Sequence, residues 1–225
     1  MNIGKNMACG RSGINDVFRG RGGRIMLMSH TITSITSKPF DNPHIRKILD
    51  RVINKINYQY LHQLPGHPLF VDPFANDSFT QYLQGCITND LNPKFNTNYN
   101  LEFKDFAYEM KELEHKFDLI LFDPPYSLRQ LKDQYDGIGK KLKLWQTHNM
   151  WGEGKDVLAD LVKVGGYVIS LGWTTAGFGQ KRGFQKKEVH VFEQAAREDR
   201  YSMYVVVEQK TQTKLKLQFE GIEEE

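Results

Sequence analysis

FDLILFDPPYS, residues 117–127, decides how the rest of the chain is read. Its nearly continuous apolar run predicts a strand buried on both faces, which implies a sheet with helices packed on each side. Asp123 closes the run, and Pro124 and Pro125 follow at once. Two successive prolines remove two backbone N–H donors and hold the chain extended just past the strand. The Asp123 carboxylate and the Pro124 carbonyl become fixed acceptors, with Tyr126 presented beside them. Such a site suits an exocyclic amino group on a flat ring: two N–H donors meet two acceptors, and the tyrosine stacks on the heterocycle. The plain alternative is a rigid turn that carries an ordinary tyrosine.

Working outward, the pattern alternates between strand and helix periods. Asp41 or Asn42 before Pro43 is a helix start, and Ile45, Ile48, Leu49, Val52, Ile53 and Ile56 recur at three-to-four spacing. PLFVD (68–72) and CITND (86–90) are short strands that end in acids, and SFTQYLQ (78–84) between them is a helix closed by Gly85. NLEFKD (100–105) is expected as a third strand, followed by a helix over 106–115. A helix over 156–163 precedes the buried strand GGYVISLG (165–172). EVHVFE (188–193) and SMYVVVEQ (202–209) are close enough for an antiparallel hairpin, and TKLKLQF (213–219) alternates like an edge strand. The expected fold class is α/β: a Rossmann-like, open, mostly parallel seven-stranded sheet with a C-terminal antiparallel hairpin and helices on both faces.

Composition bounds the function. The chain has 225 residues, 40% hydrophobic and 25% charged, an ordinary globular mixture that excludes disordered and collagen-like classes. Thirty Lys and Arg against 27 Asp and Glu leave a net charge of +3, which does not by itself announce a nucleic-acid binder. Cys9 and Cys86 form no CxxC, so neither a disulfide framework nor a cysteine zinc site is expected. Seven scattered histidines show no metal-binding spacing. No apolar run approaches the roughly 20 residues of a membrane helix, and the opening residues have no signal-peptide core. A cytoplasmic protein that binds no membrane is the expectation. Residues 1–30 carry Lys5, Arg11, Arg19, Arg21 and Arg24 among six glycines, which predicts a flexible basic arm. Residues 31–225 are expected to form a single domain.

In an open α/β sheet, ligands bind beyond the carboxyl ends of the strands, where strand order reverses. Asp72, Asp90, Asp105 and Asp123 are all expected at such ends. An acid after the second strand is placed to accept hydrogen bonds from ribose hydroxyls, although each acid alone suits helix capping equally well.

LILFDPPYS resembles motif IV of the S-adenosylmethionine-dependent amino methyltransferases, the N6-adenine and N4-cytosine DNA methylases. VDPFAND (71–77) resembles their motif I, and TNDLNP (88–93) resembles the acidic turn that holds the cofactor ribose. FKDF (103–106) is similar to the segment near the cofactor adenine, and GGYVISLGW with TTAGFGQKRGF (174–184) to the later strand and loop of small adenine methylases. The resemblance covers most of the chain. It implies S-adenosyl-L-methionine as cofactor, held by Asp72, Pro73, Phe74, Ala75, Asp90, Leu91, Asp105, Phe106 and Asp123. It implies methyl transfer to N6 of adenine at Asp123, Pro124, Pro125 and Tyr126, with the base flipped out of duplex DNA. N4 of cytosine, an amine in RNA, and an inactive module that keeps the fold are the alternatives. A restriction-modification setting belongs to the same resemblance.

Two departures from the family pattern stand out. The motif I loop has Ala75-Asn76-Asp77-Ser78 where glycines are usual. The stretch between Asp72 and Asp123 is also too short to hold a target-recognition domain. DNA contacts are therefore expected from a lid or insertion over 129–155, with Arg129, Lys132, Lys140, Lys141, Lys143 and Lys155 interleaved with Tyr135, Trp145 and Trp151. Lys181 and Arg182, with Lys186 and Lys187, form a second candidate strip. A homodimer or a partner subunit is the other route to target recognition.

Overall fold

The computed structural model describes residues 12–19, 25–34, 38–142, 150–194 and 202–212. The strand expected from FDLILFD is β5, Phe117–Phe122, buried at every position. It pairs in parallel with β3 (Phe70–Asp72) on one side and with β6 (Val162–Gly172) on the other. Beyond β3 lies β4 (Cys86–Thr88), again parallel. The expected hairpin is β7 (Phe184–Gln194) with β8 (Met203–Lys210), and β8 sits antiparallel between β6 and β7. The fold class is as expected: a Rossmann-like open sheet, mostly parallel, with helices on both faces.

Strand membership differs from the expectation. Among the described residues the sheet has eight strands, in the order β1-β2-β7-β8-β6-β5-β3-β4. The two additional ones, β1 (Ser12–Arg19) and β2 (Ile25–Thr33), form an antiparallel pair, and β2 runs parallel to β7. The stretch expected as a flexible arm over residues 1–30 is therefore, where described, part of the sheet. The physical reason is non-local: the outer edge of β7 presents unpaired backbone groups, and IMLMSHTIT (25–33) satisfies them despite the glycines around it.

NLEFKD is no strand either. Two periods compete there, and the helical one wins, because Phe103, Phe106, Ala107 and Met110 all bury one face of α2 (Phe103–Glu112). Only a single bridge, Asn89 to Tyr99, survives of the expected pairing. The expected helix over 78–84 is one short 3-10 turn, Phe79–Tyr82. The tail 213–219 lies outside the described residues.

α1 (Pro43–His62) begins at Asn42, whose side chain accepts the N–H groups of His44 and Ile45. Its isoleucines and valine are indifferent helix formers, so docking holds it in place. Ile45, Leu49, Val52 and Ile56 pack against Leu119, Leu121, Ile169 and Val205 on one sheet face. Each fully buried side chain of this kind contributes about 1.5–3 kcal/mol. α2 and α4 (Gly152–Leu161) cover the opposite face against Val71, Ile120, Phe122 and Val168. α3 (Leu128–Gly137) instead lies against the residues that follow β3 and β4. No helix among the described residues is long and apolar enough to cross a membrane.

Candidate active site

Strand order reverses at β3, which has β4 on one side and β5 on the other. Asp72 is the last residue of β3 and Asp123 the first after β5, so the two acids meet at this switch point. Asp90 follows β4 by two residues. A cavity of about 270 Å³ opens here, lined by Asp123, Pro124, Pro125 and Tyr126 together with Phe74, Asn76 and Pro39. The four residues of the DPPY segment thus share one wall, as their sequence implied.

The segment is fixed from behind. Ser127 caps α3 by accepting the Gln130 N–H, and the Gln130 side chain accepts the N–H groups of Tyr126 and Ser127. The Tyr126 ring lies 6.1 Å from that of Trp173, the residue that ends GGYVISLGW. Pro124 and Pro125, followed by the capping box, fix the backbone that leads away from Asp123.

Electrostatically the site is an unfilled acceptor set. Asp72 is 1% exposed. Its Oδ1 accepts the Phe74 N–H, while Oδ2 is buried with no partner among the described residues. Burial pushes its carboxyl up to about 7, and the Phe74 N–H with the nearby Thr80 hydroxyl only partly offsets this. Burial, with Asp72 adding repulsion, pushes Asp123 well above the usual carboxylate range. Asn76 Oδ1 and the Tyr126 hydroxyl are likewise buried without partners among the described residues. Orphaned acceptors of this density are costly unless something cationic or rich in N–H and O–H donors fills the space.

Asn76 also explains the missing glycine. Its φ of 40° lies in the left-handed region, which asparagine tolerates better than most side chains. The tight turn in the loop where glycine was expected is made here with Asn76, whose N–H donates to Asp90 Oδ2. Asp90 Oδ1 accepts the Asn92 N–H, so the carboxylate is oriented and still has free lone pairs. Burial raises its pKa, with those two N–H groups opposing.

Beside Asp90 lies a second, much smaller cavity of about 30 Å³, lined by Phe74, Leu91, Glu102 and Phe103 and closed by Leu131, Tyr135 and Trp151. Small-molecule sites usually offer about 300–1,000 Å³. At this size, with α3 closing it, the cavity does not hold a ribose or a base. α3 is held down by Tyr135, whose hydroxyl donates to Glu102 Oε2 at 2.5 Å, while Lys140 approaches Glu102 Oε1 at 3.4 Å.

Several expected site residues fall elsewhere. Asp105 is exposed on the first turn of α2, and Phe106 is fully buried in the core against Tyr99. Neither reaches the cavity, because the third strand that would have delivered them is a helix. Glu102 and Leu101, just ahead of α2, line it instead. The expected DNA-contacting set divides. Arg129 is 92% exposed, and Lys132, Lys141 and Lys181 are exposed as well. Lys143 and Trp145 lie outside the described residues. Arg182 is structural: it bonds Asp156, the Phe178 carbonyl and the Gly152 carbonyl. Lys155 is too, since it donates to the Gly177 carbonyl over the Phe122 ring, and burial lowers its pKa to about 8. Tyr135 and Trp151 line the small cavity beside Asp90. Sequence reasoning missed Asn76 and Glu102 as lining residues and read Trp151 as a nucleic-acid contact. Asn76 left a trace, as the residue where the loop lacks its glycine.

No protein-family model and no curated protein sequence matches the chain. Among solved structures it is similar to TrmN from Thermus thermophilus, at 14% identity over 71% of this chain and 48% of that one, TM-score 0.42. It is also similar to an rRNA methylase from Streptococcus thermophilus, at 12% identity over 72% of this chain and 98% of that one, TM-score 0.41. A third is N-methyltransferase NodS from Bradyrhizobium japonicum WM9 in complex with S-adenosyl-L-homocysteine, at 12% identity over 79% of this chain and 94% of that one, TM-score 0.38. The chain spans about half the length of the first of these and nearly all of the other two.

Proposed function

We propose that the chain is an S-adenosylmethionine-dependent amino methyltransferase that acts on N6 of adenine in DNA. The observation that carries this reading is the meeting of Asp72 and Asp123 at the switch point, beside a cavity walled by the DPPY segment and Asn76, with buried acceptors that have no donor among the described residues. Asp72, with Asn76 behind it, would hold the ammonium end of the cofactor. Asp90 would hold the ribose, and Leu91, Glu102 and Phe103 would enclose the adenine once α3 moves. Bound there, S-adenosylmethionine supplies a methyl group activated on a sulfonium.

The chain's own part is to position and polarise. The lone pair of an adenine amino group is delocalised into the ring, which makes the nitrogen a poor nucleophile. The Asp123 carboxylate and the Pro124 carbonyl accept its two hydrogens and return electron density to the nitrogen. Tyr126 stacks on the ring, and Asp123 holds the proton that the methylated amine releases. Orientation and fixed dipoles supply most of the rate enhancement.

The ribose assignment gives a direct expectation. Asp90→Ala weakens cofactor binding by about 1.5–3 kcal/mol, the range for a hydrogen bond to a charged group. Calorimetry with S-adenosylhomocysteine measures it, and wild-type affinity in the variant would remove Asp90 from the site. The substrate assignment is tested by transfer of labelled methyl from S-adenosylmethionine into DNA, RNA and protein offered side by side. Label at N6 of adenine in DNA is expected; label only in RNA or protein would overturn the substrate.

A further inference from the structure

α1 carries a second polar feature, on the flank turned away from the core. An open groove of about 750 Å³ runs beside it, lined by Lys47, Arg51, Asn54, Lys55, Gln59 and Tyr167 among others. Lys47, Arg51 and Lys55 succeed one another at four-residue steps, so they form one stripe with a rise of about 6 Å between neighbours. The acid on this wall, Asp50, is already paired with Arg46 at 2.9 Å. Lys47 and Lys55 are exposed and form no salt bridge among the described residues.

A run of lysines on a helix is ordinarily a solvated face, but this one is built around a fixed post. Arg51 pairs through Nη2 with the nearly buried Glu188 of β7. Glu188 in turn bonds His190 Nε2 at 2.9 Å, and His190 Nδ1 bonds Ser29 Oγ of β2 at 2.5 Å. The chain thus spends buried polar groups on orienting a guanidinium at the groove wall, with its remaining N–H donors uncommitted to Glu188. The groove begins close in sequence to the cavity: Pro39 lines the DPPY cavity, α1 starts at Pro43, and Lys47, at the near end of the groove, stands one turn further on.

We infer that this groove is a phosphate track for the DNA strand on one side of the flipped adenine, with Lys47, Arg51 and Lys55 each facing a successive phosphate. The inference rests on the methyltransferase function proposed above and places DNA contacts on an element where none was expected. Such contacts are independent of base sequence and release counterions, so they fix register and set salt dependence.

The test is Lys47→Glu combined with Lys55→Glu, two exposed positions whose reversal leaves the core and the cavity untouched. Binding of a labelled DNA oligonucleotide is measured across a salt series for wild type and variant, with S-adenosylhomocysteine affinity as the control for folding. The variant is expected to bind DNA at least tenfold more weakly at low salt. The slope of log affinity against log salt should be shallower by about 1.5, at roughly 0.7–0.9 per phosphate contact. Turnover at saturating DNA and cofactor affinity are expected to stay unchanged. Wild-type affinity and slope in the variant, or a loss of turnover with no change in slope, would overturn the track and leave the proposed function standing. A wild-type protein that neither binds nor methylates DNA would overturn both.

Discussion

Asp123→Ala is expected to lower methyl transfer to DNA by about 10²–10³-fold, the usual cost of removing one preorganised group aimed at developing charge. Cofactor affinity should change far less, because the acceptors assigned to the cofactor are mainly Asp72, Asn76 and Asp90. The separation follows from position: Asp123 lies on the cavity wall with Pro124, Pro125 and Tyr126, whereas Asp90 lines the neighbouring cavity. Single-turnover kinetics at saturating cofactor, paired with calorimetry, read the two quantities apart. Near-normal turnover by this variant would remove the amine from Asp123 and with it the proposed chemistry.

Asp72→Asn is expected to raise stability at pH 8 while it weakens cofactor binding. In the folded chain the Asp72 carboxyl is pushed up to about 7 by burial, whereas in the unfolded chain it titrates near the ordinary value of about 3.9. Between those values the folded state binds more protons than the unfolded state. Stability therefore falls as pH rises through that window, and the full penalty is present above pH 7. A shift of this size corresponds to at most about 4 kcal/mol, which asparagine, being neutral, avoids. Thermal unfolding at pH 4 and pH 8 checks it: the variant should gain several degrees over wild type at pH 8 and little at pH 4. Equal midpoints at pH 8 would show that the charge on Asp72 is compensated. The same proton implies that a cationic cofactor binds more tightly as pH rises from 6 to 8, because its ammonium pairs with the ionised form.

What the sequence made legible was whatever depends on local pattern. FDLILF and GGYVISLG are runs that no amphipathic helix of that length would carry, so β5 and β6 could be located without knowing their neighbours. Asp72, Asp90 and Asp123 followed, because acids just beyond such runs fall at the ligand-binding edge of an α/β sheet. Residues 100–110 were misleading because they satisfy two periods at once. Alternation over NLEFKD argues for a strand, but Phe103, Phe106, Ala107 and Met110 bury a helical face. That single competition displaced Asp105 and Phe106 from the site and put Glu102 there. β1 and β2 were illegible for a different reason: β7, the strand through which β2 joins this pair to the sheet, lies far along the chain, and glycines between β1 and β2 mask the alternation. Arg182 and Lys155 resemble phosphate ligands in sequence, and only tertiary contacts with Asp156, Gly152 and Gly177 show that they hold loops in place.

Methylation of adenine in DNA at the cavity walled by Asp123, Pro124, Pro125 and Tyr126 is tested most directly by reading the product. DNA from cells expressing the wild-type chain, and from cells expressing Asp123→Ala at the same level, is sequenced by a method that detects N6-methyladenine directly. Methylation at a short, defined sequence in the first sample and its loss in the second is the predicted result. Wild-type DNA without the mark, or an equal mark in both samples, would contradict it.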